Sequence, residues 1–280
     1  MLASGISLLA GTLTGRGPLL AAQPLKTATP VSTEAAEAAR LTRYTRSQRQ
    51  MGVEFRISVY AAEEEAANSA LDAAFARIAR LNGILSDYDP TSELRRLCDA
   101  SPPGTPVPVS DELWHVLAAA QRLAAATNGR FDVTVGPLVR LWRRARRQKE
   151  LPSPRLLSES RKAVGHQLLR LHAEGQRVEL LRAGMRLDLG GIAKGYAAAE
   201  AVRVLRERGL PRALVDGSGD IVAGDPPPGT TGWTIAIAPL RLPASAARTP
   251  AETETVAGRP AEPAAAILLR QGAVATSGDA

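Results

Sequence analysis

A chain of 280 residues, 45% of them hydrophobic, is long enough to bury a full core, and no apolar run in it is long enough to span a bilayer. Its 35 Lys+Arg exceed its 28 Asp+Glu and give a net charge of +7, but the one dense basic run, residues 140–149 (RLWRRARRQK), has no aromatic platform beyond Trp142. That run reads as the solvated face of a helix rather than a nucleic-acid surface, and the single cysteine, Cys98, excludes an intramolecular disulfide or a multi-cysteine metal site.

Residues 1–50 differ from the rest. Residues 2–22 are rich in Leu, Ala and Gly and end in LLAAQP. They resemble a signal-peptide core and cleavage zone, although no basic stretch precedes them. Residues 23–50 read as a polar linker ending in a short helix. Export to a bacterial envelope or periplasm is the expectation, with the cytoplasm as the alternative.

The folded part is expected to begin at Met51. Residues 53–61 (VEFRISVYA) alternate as a half-buried strand, and residues 63–85 switch to helical period through Ala67, Leu71, Phe75, Ile78, Leu81 and Leu85. A loop is expected over 86–106, then a helix over 111–127 that starts with acids and stops at Asn128-Gly129. Residues 131–135 read as a short strand, and Pro137 as an early position of a helix reaching Arg147. Ser153-Pro154 should cap another short helix. Residues 167–172, 177–182 and 185–189 then read as hairpin strands. A helix is expected from Ile192 to Gly209, followed by strands at 212–215, 221–223 and 233–238. Residues 239–263 are rich in Pro, Ala and Thr and read as a disordered insertion. Residues 266–269 and 273–276 look like the two arms of a final hairpin. The pattern is α+β, with mostly antiparallel sheets and packed helices.

The junction RLDLGGIAKG, residues 186–195, carries the most chemistry. Asp188 closes an apolar segment, Gly190 and Gly191 permit a tight turn, and Lys194 falls in the first turn of the helix that follows. Free N–H groups at a helix start, with an ammonium beside them, suit a phosphate or pyrophosphate. Only four of the basic residues are lysines: Lys26, Lys149, Lys162 and Lys194. A lysine inside a glycine-rich turn therefore stands out, although a solvent-facing lysine at a helix start is the plain alternative. No Lys-Ser/Thr pair follows the glycines, so the P-loop pattern fails, and the dinucleotide GxGxxG pattern is missing.

Four more segments accompany this junction: MGVEFRIS from Met51; LSDYDPTSEL with Tyr88 and Ser92; GRFDVTVGPLVRLW with Phe131, Asp132, Thr134 and Pro137; and ALVDGSGDI with Asp216, Gly219 and Asp220. VATSGD closes the chain. In this order and spacing they resemble the FAD:protein FMN transferase family, the ApbE-like flavin transferases, over about residues 51–279. The resemblance implies a T-fold-like α+β domain with the flavin nucleotide between two subdomains. It further implies FAD and Mg²⁺ as cofactors, and transfer of FMN to a threonine hydroxyl of a target flavoprotein with release of AMP. That target is expected to be a subunit of a membrane redox complex.

The resemblance also assigns residues. Tyr88 matches an aromatic that stacks on the FAD adenine, and Met51 would line the same pocket or simply pack at a strand start. Arg130, Phe131 and Asp132 match a segment touching FAD, with Asp132 otherwise capping the turn after Gly129. Gly190 and Lys194 would meet the pyrophosphate, and Asp188 would either join them or only cap the glycine turn. Gly219 and Asp220 lie in a loop that usually has two adjacent glycines, the first replaced here by Ser218. Thr276, Ser277 and Gly278 match a motif beside the flavin. The Ala193 carbonyl matches a metal ligand. The family's histidine after this motif, and a later Asp and Thr that ligate the metal, have no counterpart within residue 280, so the catalytic residue is unknown. The chain is therefore expected to be C-terminally incomplete, and a non-catalytic flavin-binding protein that has lost its metal is the runner-up. A serine hydrolase using Ser218 is disfavoured, because DGSGD lacks the nucleophile-elbow pattern.

Overall fold

The computed structural model describes residues 40–237 and 265–276. The signal-like segment, the insertion expected at 239–263 and Ser277 lie outside the described residues.

A five-stranded antiparallel sheet in the order β1-β2-β6-β7-β10 organises the chain. Its strands are β1 (Thr42–Gln50), β2 (Val53–Ala61), β6 (Ala213–Asp216), β7 (Asp220–Ala223) and β10 (Gly272–Ala275). One face is covered by helix α1 (Glu64–Leu85) and helix α6 (Ala193–Glu207), which also pack on each other. The β2 residues Phe55, Ile57 and Val59 are fully buried against the α1 stripe of Leu71, Phe75, Ile78 and Leu81. Helix α6 contributes Ala197, Ala198 and Ala201, and such small side chains let its backbone come close to the sheet and to α1. A buried-edge ion network ties the helices together. Arg77 of α1 bonds Glu200 of α6 at 2.6 Å, and Glu112 of helix α3 (Asp111–Ala126) at 2.8 Å.

The remaining elements are smaller. They are helix α2 (Glu93–Ala100), helix α4 (Gly136–Gln148), helix α5 (Pro154–Arg161) and a three-stranded sheet of β3 (Val107–Pro108), β5 (Arg177–Leu180) and β4 (Leu169–His172). A ribbon of β8 (Trp233–Ile237) and β9 (Ala265–Leu269) completes the described chain.

Several sequence expectations need correction. The tail of the expected polar linker is β1, which pairs along its whole length with β2. Its alternation was masked because both faces carry polar residues, as suits an edge strand. The loop expected at 86–106 contains α2, capped by Ser92, whose hydroxyl accepts from the Arg95 amide at 3.1 Å. Only Leu94 and Leu97 are buried there, too few for a visible stripe.

Residues 131–135 form a turn and residues 185–189 an extended segment outside any sheet. They meet through one parallel bridge, Val135 to Arg186. Val133, Met185, Leu187 and Leu189 are buried without a ladder, a pattern that mimics a strand. Residues 166–168 form a 3-10 turn, so β4 starts later than expected. The last two strands are not hairpin arms: β9 pairs with β8, and β10 with β7.

The β6–β7 connection uses Ser218 at φ 60° and Gly219 at φ 97°. A serine in the left-handed region is strained where Asn-Gly would fit. Ser218→Asn is expected to raise stability by about 0.5 kcal/mol, read as a higher urea midpoint at an unchanged m value. A midpoint that falls would contradict this account of the turn.

Candidate functional site

A cleft of ≈ 730 Å³ opens where the β1–β2 turn, the loop after α1 and the start of α6 converge. Met51, Tyr88, Gly190, Ala193 and Lys194 line it. Five of the residues picked out from the sequence thus share one wall system, although they come from three distant stretches of chain.

Each is held by local chemistry. Met51 and Gly52 are the two central residues of a tight hairpin turn, at φ 50° and 80°. Glycine suits this conformation and methionine does not, so the turn presents a strained apolar side chain to the cleft. In the loop after α1, the Ser86 hydroxyl accepts from the amides of Tyr88 (3.2 Å) and Asp89 (3.1 Å). The Ser92 hydroxyl donates to the Ser86 carbonyl at 2.5 Å, and Asp89 accepts from the Thr91 amide at 2.8 Å. The polar residues of SDYDPTSEL are therefore spent on the loop itself. Tyr88 is left projecting, with 73% of its surface exposed.

The glycine junction is braced from behind. The Asp188 carboxylate accepts from the Gly190 amide at 2.8 Å, and the Asp188 amide donates to the Val133 carbonyl at 2.8 Å. Asp188 thus caps the glycine turn. Phe131 packs against Gly191, where an added Cβ would lie 3.2 Å from the ring. Asp132 caps its own turn, accepting from the amide and hydroxyl of Thr134 at 2.8 and 2.7 Å. Arg130 is exposed and donates to the Thr127 carbonyl at 3.4 Å. Phe131 thus supports the junction from outside the cleft wall, while Arg130 and Asp132 bond within their own turn.

Lys194 donates to Asp220 at 2.8 Å, which joins the β6–β7 turn to the cleft. Gly219 in turn meets Thr276, whose amide donates to the Gly219 carbonyl at 3.0 Å. Gly219, Asp220 and Thr276 therefore form a second bank behind Lys194.

Sequence reasoning missed Arg143 and Asp87. Arg143 leaves the α4 arginine run, ion-pairs with Asp87 and donates to Asp188 at 3.1 Å, with its guanidinium 4.0 Å from the centre of the Tyr88 ring. Burial pulls its pKa down, but the bond to Asp87 and the charges of Asp87, Tyr88 and Asp188 outweigh that and raise it, so it stays a cation. The one sequence signal was position: Arg143 lies seven residues after Gly136, on the helix that begins beside the junction.

Magnesium prefers six oxygen ligands, carboxylates and water above all. Among the described residues no three His, Cys, Asp or Glu side chains are grouped to hold a metal. Asp188 and Asp220 are already committed to cations, and Ala193 can offer one carbonyl. These residues do not compose a Mg²⁺ site by themselves. His172 bonds Glu179 and His115 bonds the Asp111 carbonyl; among the described residues no histidine lines the cleft. Among the described residues no helix is long and apolar enough to cross a membrane.

The chain is similar to known proteins in sequence and in fold. An FAD:protein FMN transferase of Treponema pallidum is 32% identical over 191 residues, covering 66% of this chain and 52% of that protein. One of Haemophilus influenzae is 32% identical over 161 residues, covering 56% and 46%. This chain thus spans about half the length of the curated relatives it matches. Among solved structures, the ApbE protein of Thermotoga maritima aligns with a TM-score of 0.69 at 28% identity, over 85% of this chain and 71% of that one. The flavin transferase ApbE of Vibrio cholerae aligns with a TM-score of 0.63 at 25% identity, over 71% and 64%. The sequence model of the ApbE family matches residues 51–280, the stretch that supplies every wall of the cleft, and the chain belongs to that family.

Proposed function

We propose that this chain carries the FAD-binding part of an FAD:protein FMN transferase. The observation that carries the reading is the meeting of Tyr88, the Gly190 turn at the start of α6 and Lys194 in one cleft. An aromatic ring beside a cation at a helix start matches the two ends of a nucleotide: a flat base and a charged pyrophosphate. The apolar side chain of Met51 covers the same space.

In the reaction, the acceptor threonine oxygen attacks the phosphorus of the FMN half. The bond from that phosphorus to the bridging oxygen breaks, AMP leaves with the bridging oxygen, and the threonine proton passes to solvent or a base. Lys194, at the start of α6, would hold the charge that gathers on the leaving phosphate. Were Mg²⁺ bound, the Ala193 carbonyl would be one of its ligands and the metal would supply charge neutralisation. The acceptor is a threonine on a flavoprotein, a subunit of a membrane redox complex on this reading. The place of action is the bacterial envelope.

The runner-up, a flavin-binding protein without transfer, is favoured by one feature: among the described residues no metal-ligating cluster exists. One assay separates the two. FAD is titrated into the chain, and an acceptor peptide and Mg²⁺ are then added while AMP is measured. Binding with AMP release supports the transferase; binding without it supports the runner-up; no binding rejects both. Tyr88→Ala is expected to weaken FAD about tenfold and to leave FMN binding nearly unchanged, because FMN lacks the base.

A further inference from the structure

We propose that Arg143 is a positioning residue: it fixes the Tyr88 ring from behind, leaving the opposite face presented to the nucleobase of FAD. This rests on the flavin reading above, and it assigns a role to a residue the sequence placed in a solvated arginine run.

The geometry is specific. The guanidinium carbon sits 4.0 Å from the Tyr88 ring centroid, well inside cation–π range. The same guanidinium is held from both sides, by Asp87, which precedes Tyr88 in the chain, and by Asp188 at 3.1 Å. Both carboxylates are mostly buried, with side-chain exposures of 14% and 11%. Asp188 is the residue that caps Gly190. One planar side chain therefore joins the base-binding loop to the phosphate-binding turn.

The exposure of Tyr88 supports the same conclusion. A ring that is 73% exposed would ordinarily sample several rotamers, and binding a base would have to stop that motion. With one face covered by a fixed cation, the ring is restrained before the ligand arrives. A cation behind the ring also draws electron density away from its free face, which favours stacking with the electron-rich adenine. Lysine could not reproduce this, because a point charge cannot bridge two carboxylates and lie flat on a ring.

The test compares the full chain with Arg143→Met, Arg143→Lys and Tyr88→Leu. Arg143→Met keeps much of the apolar stem and removes the plane and the charge. It is expected to weaken FAD about tenfold, with FMN affinity changed less than about twofold and Arg143→Lys falling between. Equal losses for FAD and FMN, or no loss, would overturn the proposal, since a merely structural role does not discriminate by the base. A ligand-free readout runs alongside. In the wild type, the Arg143 Cδ protons should be shifted upfield by the Tyr88 ring current, and should return to ordinary arginine values in Tyr88→Leu. Unshifted protons in the wild type would overturn the stacking even if Arg143→Met failed to fold. A wild-type chain with the upfield shift but no affinity for FAD would instead reject the flavin reading and the nucleobase with it.

Discussion

Replacing Lys194 by methionine is expected to weaken FAD binding about 100-fold while moving the urea midpoint little. A charge-assisted hydrogen bond to a phosphate contributes about 1.5–3 kcal/mol, and 100-fold corresponds to the upper part of that range. Lys194 is the cation among the residues that line the cleft, and it sits in the first turn of α6, where helix N–H groups already favour an anion. Its present partner is Asp220, at 2.8 Å, with about a quarter of each side chain exposed. An ion pair open to water at that level contributes about 1 kcal/mol or less to stability, so the stability effect should be small. The pair also defines a second arm. Asp220 competes with the pyrophosphate for the ammonium, so Asp220→Asn should leave FAD affinity unchanged or raise it. The double variant should bind as weakly as Lys194→Met alone. If Lys194→Met changes FAD affinity less than twofold, the phosphates lie elsewhere and the assignment of the glycine junction fails.

Much of the chain was legible because burial and period coincide. Helices α1, α3 and α6 carry apolar stripes that face the core, and each was readable to within a residue or two. What was not legible follows from physics that periodicity does not carry. Strand β1 is polar on both faces, because one faces solvent and the other holds Arg46 against Asn68 at 2.7 Å. Residues 131–135 and 185–189 alternate like strands, yet they are buried by neighbouring turns and share a single bridge. The site shows the same division. Tyr88, Gly190 and Lys194 stand out by residue type in an unusual setting. Arg143 does not, since nothing in RLWRRARRQK distinguishes one arginine from its neighbours. Only the fold shows that its partner Asp87 lies 56 residues earlier and that both flank one ring.

Gly136→Ala is expected to destabilise the chain by about 3 kcal/mol and to abolish high-affinity FAD binding, although alanine is the better helix former. Gly136 opens α4 directly against the extended segment before the glycine junction. An added Cβ would lie 2.5 Å from the Arg186 carbonyl oxygen and 2.7 Å from its carbon. Those are backbone atoms, so no side-chain rotation can relieve the overlap, and the helix start must move away from residues 185–188. That movement would strain the bridge from Val135 to Arg186 and the bond from the Asp188 amide to the Val133 carbonyl. It would also separate Arg143 from Asp188, and with it the link between the Tyr88 loop and the Gly190 turn. Gly195 supplies the control. It lies inside α6, and an added Cβ there would meet nothing within 4 Å. Gly195→Ala should therefore follow helix propensity alone and stabilise by about 0.5–1 kcal/mol. The two substitutions are chemically identical, and only the neighbour differs. Opposite shifts in the urea midpoint would place the site's rigidity in the close approach of α4 to the glycine junction. Equal shifts of either sign would show that the approach has slack, and that Arg143 and Asp188 are brought together by something other than this contact.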